Sequence, residues 1–455
     1  MSIDLTLDRI RAVMNLLPAY TRPTIHIAGT NGKGSVSALV SSILSADTRL
    51  SVGRFNSPHL VTIYDSITIN NSNVDPNVYA AAQADVEGIA HKHDLAISSF
   101  ETLTLVALLV FERAKVDYVV LEVGMGGRLD ATNVIPDDVV VASALTAVDL
   151  DHQTFLGGTI DSIAREKVAI ARHGKPFVLG SQSSSSVRPI VEAHIQAIGG
   201  KLIEAPHVEP AQVTDFGTLT PWRAPACAQL KLSVPWLQMP IVATFPLHGS
   251  HQYQNLGTAL GLIGALVSND ELRLQDKLTA LAIGHGIENT TWRGRLSFQA
   301  VTTPRGELPV LVDGAHNQAS AETLAAYLTN LLHNYPSDQE IELTFILSLS
   351  HSPPKRPLDT LAPLFPLGAP RNIRTKAILL EFSPPEGMPW IKCEDIDVVK
   401  NTILELAPGT DITLLQSSGE EGLVEALALA RTEKDSLAVV AGSLYLVSDF
   451  YRATA

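Results

Sequence analysis

The stretch Ile25 to Val40, IHIAGTNGKGSVSALV, decides the fold. A short β-type run, Thr24 to Ala28, feeds Gly29-Thr30-Asn31-Gly32-Lys33-Gly34-Ser35, and Val36 to Leu44 follows at once with helical spacing. Glycines let backbone N–H groups converge on phosphate oxygens. The start of the helix adds positive partial charge at the same place. Lys33 is then placed to pair with β- and γ-phosphates, and the Ser35 hydroxyl to reach Mg²⁺. The glycine spacing is shorter than in the general Walker A pattern. The bland alternative is a glycine-rich strand-to-helix turn; the flanking strand, the flanking helix and the Gly-Lys-Gly-Ser core favour a phosphate loop.

Outward from this loop the chain alternates strand-like and helix-like runs. Val116 to Val123 (VDYVVLEV) is nearly continuous apolar, as expected of a central parallel strand buried on both faces, and Val139 to Ala147 reads as its neighbour. Ile160 to Ala171 and Gln252 to Val267 read as helices. Between them, residues 181–186 form a polar loop, and residues 205–240, with several prolines, suggest an antiparallel insertion. A second α/β rhythm opens near Pro309 (PVLVDGAH), continues through a helix from Ser320 to Leu332 and the run IELTFILSLS, and ends with SLAVVAGSLYLVSDFY. Ser352 to Pro370 reads as a loop excursion. Turn-rich Thr302 to Gly306 is the expected interdomain hinge. The expected domains are therefore 1–300, an ATP-binding α/β domain with a parallel sheet, and 301–455, a smaller Rossmann-like α/β domain.

Composition narrows the class. The 455 residues suffice for two or three domains. A formal charge of −14 with no basic patch argues against nucleic acid as a partner. Two distant cysteines, Cys227 and Cys393, build neither a disulfide framework nor a thiolate metal site, and read as buried thiols in a reducing compartment. The N-terminus carries charges throughout and reads as an amphipathic helix with Ile10, Val13, Met14 and Leu17 on one face, not as a secretory signal. No apolar run is long enough to span a bilayer. A cytoplasmic, monomeric protein without membrane partners is the expectation.

Four further positions carry candidate chemistry, each with a plainer reading beside it. Ser57, in Asn56-Ser57-Pro58-His59-Leu60, is a hydroxyl for a metal or a turn residue. Glu122 ends an apolar strand at the usual ligand crevice of open α/β sheets. A charge there is costly unless paired or metal-bound, so it is a ligand or a salt-bridged structural residue. His152, in Asp149-Leu150-Asp151-His152, follows the next strand and is an imidazole ligand or a capping or buried histidine. Lys167 lies on the helix beginning near Ile160; taken alone it is a surface lysine.

Nine runs in order, HIAGTNGKGSV, NSPHL, SFETLT, LEVGMGGRLDATN, LDHQTFLGGTIDSIAREK, GSHQYQN, WRGRL, DGAHN and GSLYLV, resemble the folylpolyglutamate synthase and dihydrofolate synthase family of the Mur ligase superfamily, over nearly the whole chain. AGTNGKGS, Asp65-Ser66-Ile67 and Glu386-Gly387-Met388-Pro389-Trp390 are most similar to the fungal dihydrofolate synthase branch. The resemblance implies a Mur-ligase-like fold and a set of roles. Ser35, Ser57, Glu122 and His152 would hold Mg²⁺ in two sites, with Lys167 as a carbamylated ligand. Asn255, Arg295 and Asp313 would hold ATP together with the loop, in a site that closes between domains. Phe100, Glu101, Thr104, Leu129, Asp130 and Ala131 would bind a pterin-type acid; His316 and Ser443 would line the amino-acid site. Lys33, Lys167, His152 and His316 are the expected catalytic set. Three departures stand out. Asp65-Ser66-Ile67 replaces a Glu-Arg-Ile, Val168 and Ala169 add bulk after Lys167, and Trp292-Arg293-Gly294-Arg295 replaces Trp-Pro-Gly-Arg.

The implied reaction is ATP-dependent amide formation. A carboxylic acid such as 7,8-dihydropteroate takes the γ-phosphoryl group to give an acyl phosphate and ADP, and the amine of L-glutamate then displaces phosphate. Folylpolyglutamate synthesis, alone or as a second activity, and a paralogous ligase with a different acid are the alternatives.

Overall fold

A computed structural model describes residues 6–210, 225–334, 340–353, 355–368, 373–385, 388, 390–432 and 435–454. The chain divides into two compact units, with the principal change between Thr291 and Trp292.

The first unit is built on eight strands: β1 (Thr24–Ala28), β2 (Val52–Phe55), β3 (Ile67–Ile69), β4 (Ser72–Asn73), β5 (Tyr118–Glu122), β6 (Val140–Leu145), β7 (Pro176–Leu179) and β8 (Lys201–Glu204). Their order is β4-β3-β2-β5-β1-β6-β7-β8. From β2 to β8 every pairing is parallel, while β3 and β4 close one edge antiparallel. Strands β1 and β5 are buried at every residue; Val119, Val120 and Leu121 of β5 run apolar without alternation, whereas β1 sets the buried polar side chains of Thr24 and His26 between Ile25, Ile27 and Ala28.

Helices cover both faces. Phe177 and Leu179 of β7 join a core with Ile163, Val168, Val187 and Val191, whereas Val178 faces Gly261 of the helix Ser250–Val267. The helix expected to reach Ala171 stops at Val168. There the backbone turns, and the Ile170 carbonyl accepts from the Arg172 guanidinium at 2.9 Å and the Ser143 hydroxyl at 3.3 Å. The N-terminal helix is Asp8–Met14, with Ile10 and Val13 buried and Met14 and Leu17 packed beside them. The 205–240 region contributes β9 (Ala228–Leu232), which pairs with β10 (Ile241–Phe245) in a separate two-stranded sheet. Residues 211–224 lie outside the described residues.

The second unit has six strands: β11 (Ser297–Thr303), β12 (Gly306–Val312), β13 (Ile341–Leu347), β14 (Ile373–Leu379), β15 (Asp411–Leu414) and β16 (Asp435–Ala441). They are ordered β11-β12-β16-β13-β14-β15 and parallel except for the first pair. The helix Gln318–His333 presses Leu324, Leu328 and Leu331 onto Leu343 and Phe345 of β13. Thr302 to Gly306, expected to be a hinge, is the turn of the β11–β12 hairpin: Thr303 pairs with Gly306, and its hydroxyl donates to the Gly306 carbonyl at 2.8 Å. Its polar, glycine-containing composition suits a hairpin turn as well as a linker. The expected excursion at 352–370 contains a short helix, Pro357–Leu361. Both cysteines are free and half-buried, less enclosed than expected. Among the described residues no helix is long and apolar enough to cross a membrane.

The helix after the phosphate loop, Lys33–Ser45, meets the helix Ala280–Glu288 backbone to backbone. A Cβ at Gly286 would stand 2.5 Å from the Ile43 Cα, and the Ser42 hydroxyl donates to the Gly286 carbonyl at 2.7 Å. Neither neighbour has a flexible end to move aside. Gly286→Ala is therefore expected to destabilise the first unit by about 1–3 kcal/mol, read as a lowered urea midpoint. An unchanged midpoint would show that the two helices part easily.

Candidate active site

Parallel register places three loops at one edge of the first sheet. Ile27 pairs with Glu122 and Ala28 with Leu145, so the segments after β1, β5 and β6 leave side by side. Parallel α/β sheets bind ligands at these carboxyl ends.

The loop after β1 is held tightly. The Thr30 and Asn31 N–H groups donate to the Ala147 carbonyl at 2.8 and 3.2 Å. The Thr146 hydroxyl donates to the Asn31 carbonyl at 2.8 Å, and the Thr30 hydroxyl donates to the Asp149 carbonyl at 3.1 Å. A Cβ at Gly29 would fall 1.8 Å from Thr146 Oγ1, so no side chain fits there. Gly32 caps the helix with φ of 93°, and its missing Cβ leaves room for Asn255, whose Oδ1 would otherwise be 2.3 Å away. Asn255 is itself buried and donates to Gln252 Oε1 at 2.9 Å. The sequence separates Asn255 from the loop by more than two hundred residues; the fold brings them into contact. The N–H groups of Lys33, Gly34 and Ser35 lie in the first helical turn, where no intrahelical acceptor exists.

Two lysines meet at one carbonyl. Lys33 Nζ donates to the Gly29 and Thr30 carbonyls, both at 3.1 Å. Lys167 Nζ donates to the same Gly29 oxygen at 2.8 Å. Lys167 is only 3% exposed, so the surface-lysine reading fails. Burial, and then repulsion from Lys33, push its pKa down to about 7, against partial compensation from Asp151 and Asp130.

Glu122 is buried and accepts from Asn56 Nδ2 at 2.6 Å; Asn56 also donates to the Ser37 hydroxyl at 2.6 Å. Arg54 lies buried nearby, its pKa lowered to about 10 by burial despite attraction to Glu122 and Asp65. Asp65 gathers the N–H groups of Leu60, Val61 and Thr62 at 2.7 to 3.0 Å, fixing the segment after Ser57. Ser66, where the resemblance expects arginine, is fully buried.

The donors proposed for a metal can be tested against this arrangement. Ser35 is buried, and Ser57 Oγ is buried without a hydrogen-bond partner. With the Glu122 carboxylate they supply the hard oxygen donors that Mg²⁺ prefers, so they fit such an ion. His152 stands differently: it is half-exposed, adopts φ of 49°, and its Nε2 lies 3.6 Å from Asp151. Among the described residues no group of three or more His, Cys, Asp and Glu side chains is drawn together for a metal. The fit rests on serine hydroxyls and one carboxylate.

The residues expected to bind the acid lie on the helix Ser99–Ala114, which precedes β5, and on the segment that follows β5. Phe100 lies against Gly124, where a Cβ would be 2.4 Å from its ring, and stacks obliquely on Phe55 with centroids 6.3 Å apart. Glu101 is a helix cap: its carboxylate accepts from the Ser98 N–H at 2.7 Å and meets Arg9 at 3.3 Å. Thr104 is buried and donates to the Phe100 carbonyl at 2.8 Å. Leu129 is half-buried and Ala131 buried at the start of a short 3-10 turn. Asp130 accepts from the Met125 N–H at 2.8 Å, the Thr132 N–H at 2.9 Å and the Thr132 hydroxyl at 2.5 Å. Burial nonetheless raises its pKa.

Arg295, Asp313, His316 and Ser443 belong to the second unit, around the carboxyl ends of β12 and β16. Asp313 is buried and accepts from the Leu296 and Ala315 N–H groups, both at 2.8 Å; burial raises its pKa while Arg295 opposes the shift. The Arg295 guanidinium donates to the Gly294 carbonyl at 2.8 Å. His316 Nδ1 lies 2.7 Å from the Gly314 carbonyl. Ser443 caps the helix Leu444–Ala453 and lies 3.2 Å from the Ser350 hydroxyl.

A glycine-rich phosphate loop at the carboxyl edge of a parallel sheet, backed by a second buried lysine, defines a nucleotide-handling α/β enzyme domain. Residues 295–453 match the family described as dihydrofolate synthetase, C-terminal domain. The dihydrofolate synthetase of Saccharomyces cerevisiae is 33% identical over 458 residues, covering 99% of this chain and 98% of that protein. Among solved structures, Mycobacterium tuberculosis folylpolyglutamate synthase complexed with ADP matches with a TM-score of 0.78 at 27% identity, covering 99% and 94% of the two chains. Escherichia coli FolC in complex with DHPP and ADP matches with a TM-score of 0.74 at 25% identity over 99% and 94%. The chain belongs to the folylpolyglutamate synthase and dihydrofolate synthase family and has its two-domain, Mur-ligase-like α/β fold.

One buried group escaped the sequence reading although a signal was present. His26 interrupts the apolar strand β1, and a polar side chain there needs a partner. Its Nε2 lies 2.8 Å from Thr132 Oγ1. Burial, then repulsion from Arg172, lower its pKa to about 3, so it stays neutral in the fold. In the unfolded chain it takes a proton below its ordinary value of 6.5, so stability drains away as pH falls from there toward the folded value. The loss from this residue between pH 7 and pH 5 is about 2 kcal/mol. Urea unfolding at the two pH values should therefore show a smaller drop for His26→Gln than for the wild type; equal drops would refute the buried neutral imidazole.

Proposed function

We propose that the protein is an ATP-dependent dihydrofolate synthase that joins L-glutamate to 7,8-dihydropteroate and releases ADP and phosphate. Full-length similarity to yeast dihydrofolate synthetase, together with the phosphate loop and its two lysines, carries this reading. A carboxylate oxygen of the acid attacks the γ-phosphorus of ATP, and the bond to the ADP oxygen breaks. The glutamate amine then adds to the acyl carbon, loses a proton, and the carbon–oxygen bond to phosphate breaks.

The chain's part is to hold charge in place. Gly29, Gly32, Gly34 and Ser35 are assigned to the phosphates through N–H groups and the helix start, with Thr30 and Asn31, whose N–H groups the Ala147 carbonyl holds, framing the loop. Lys33 exchanges two carbonyl partners for phosphate oxygens. Asn255, Arg295 and Asp313 are assigned to ATP. Ser35, Ser57, Glu122, His152 and a carbamylated Lys167 are assigned to Mg²⁺, which when bound offsets charge on the phosphate oxygens. A buried amine with a lowered pKa is a good acceptor of carbon dioxide, because the neutral form is the nucleophile. Phe100, Glu101, Thr104, Leu129, Asp130 and Ala131 are assigned to the acid, Glu101 and Thr104 through the local structure they hold. His316 and Ser443 are assigned to glutamate. The same reading makes the protein a cytoplasmic monomer with small-molecule partners, in keeping with its negative charge and free thiols.

Similarity to the M. tuberculosis enzyme favours folylpolyglutamate synthesis as a second activity. ADP release should require both dihydropteroate and glutamate, and Lys33→Ala should lower turnover by more than about a hundredfold. Turnover with tetrahydrofolate and glutamate, but not with dihydropteroate, would replace the first reading with the second. Carbon-13 NMR after exposure to labelled bicarbonate should show a carbamate signal that Lys167→Arg lacks; a wild-type spectrum without it would remove carbamylation from the mechanism.

A further inference from the structure

The side chain of His26 reaches from the central strand toward the acid-binding loop rather than the phosphates. His26 Nε2, Thr132 Oγ1 and Asp130 Oδ1 stand in line at 2.8 and 2.5 Å, all three residues buried. Thr132 has one hydroxyl proton. The short contact to a carboxylate that also collects the Thr132 and Met125 N–H groups assigns that proton to Asp130. The hydroxyl must then accept from His26, so the imidazole carries its proton on Nε2. His26 Nδ1 is left buried without a hydrogen-bond partner. Leaving a ring nitrogen unsatisfied is costly, and a purely apolar residue at this point of β1 would avoid the cost.

We propose that His26 and Thr132 form a positioning relay that fixes the Asp130 carboxylate, and with it the loop from Gly124 to Asp130, as the wall of the acid-substrate pocket. Asp130 has four acceptor sites, and the Met125 and Thr132 donors already fill three. Its carboxylate thus ties both ends of the loop together. Gly124 at one end lies against the Phe100 ring, which a Cβ there would meet at 2.4 Å. On the far side, Gly127 lies flush on the Lys167 helix, 2.7 Å from its Glu166 carbonyl as a Cβ would measure, and the Arg128 N–H donates to that carbonyl at 2.9 Å. A loop held at both ends and along its back presents a fixed face to the substrate. Loss of the relay loosens that face without touching the phosphate loop's own bonds to Ala147 and Thr146.

The proposal rests on the dihydrofolate synthase reading for the identity of the acid, and the test separates the two. Initial rates are measured while dihydropteroate and ATP are varied independently. Thr132→Val, which keeps the shape and removes the hydroxyl, should raise KM for the acid about tenfold or more, as expected for losing a hydrogen bond to a charged group, with KM for ATP within about twofold. Thr132→Ser should restore the wild-type value. His26→Gln, which keeps an N–H donor, should lie nearer the wild type than His26→Leu. Equal rises in both KM values, or no recovery in Thr132→Ser, would reduce the relay to a structural element of the core. If Thr132→Val fails to fold, the Gln and Leu pair at His26 carries the comparison. A wild-type enzyme inactive with dihydropteroate but active with a folate acceptor would overturn the function reading alone, and the same KM comparison would then be made with that acceptor.

Discussion

The amino groups of two lysines, Lys33 and Lys167, share the carbonyl oxygen of Gly29, and the site in the first unit is arranged around that fact. The pair can stand no farther apart than their two hydrogen bonds laid end to end, and Lys167 is shut away from water. Coulomb repulsion at such separations is strong in a poorly solvated site. Local carbonyl dipoles hold the pair in place but do not neutralise it. Loss of a proton from Lys167, whose pKa is pushed down to about 7, relieves it in part; negative charge arriving at the loop, or conversion of one amine into an anion, would relieve it further. Of these last two, a nucleotide phosphate would do the first, and the proposed carbamate on Lys167 would do the second. The phosphate loop is therefore a site of stored electrostatic demand, and its affinity for polyphosphate follows from what the fold has already concentrated there.

That arrangement constrains its surroundings. Gly29 must be glycine because Thr146 fills the space of its Cβ, and Gly32 because Asn255 does. The helix that follows is pinned to a neighbour by backbone contact at Gly286. Behind the loop, Asn56 bridges Ser37 and Glu122, so the helix carrying Ser35 and the strand carrying the carboxylate move as one. Hard oxygen donors and the phosphate cradle are consequently fixed relative to each other before any ligand binds, which is the condition for electrostatic catalysis.

The sequence made some of this legible and concealed the rest for physical reasons. Strands β5 and β6 are buried on both faces, so their apolar runs could be read directly. The phosphate loop announces itself because its chemistry is contiguous in the chain. Thr302 to Gly306 reads as a hinge in sequence because a polar, glycine-containing turn looks the same whether strands pair across it or domains hinge on it; the Ser297–Val312 register distinguishes the two. The unit boundary at Trp292 carries no composition signal. Lys167 looked like a surface residue because burial of a lone lysine depends on contacts from Gly29, far away in the chain. The family motif assigns Glu101 and Thr104 to the substrate, and it does not reveal that Glu101 also caps its own helix and Thr104 bonds back to the preceding turn.

His26 shows how one strand can serve both halves of the reaction. Side chains alternate along β1. Its carboxyl end delivers Gly29 to the phosphate loop, while one inward-facing position delivers His26 to Thr132 and so to the acid loop. Ile25 and Ile27 on either side are fully buried, which leaves the strand little freedom to shift register. A displacement of β1 would disturb both the carbonyl that gathers the lysines and the imidazole that steadies Asp130. On the proposed roles, position along the buried central strand would couple the group that handles phosphate to the group that shapes the acid pocket.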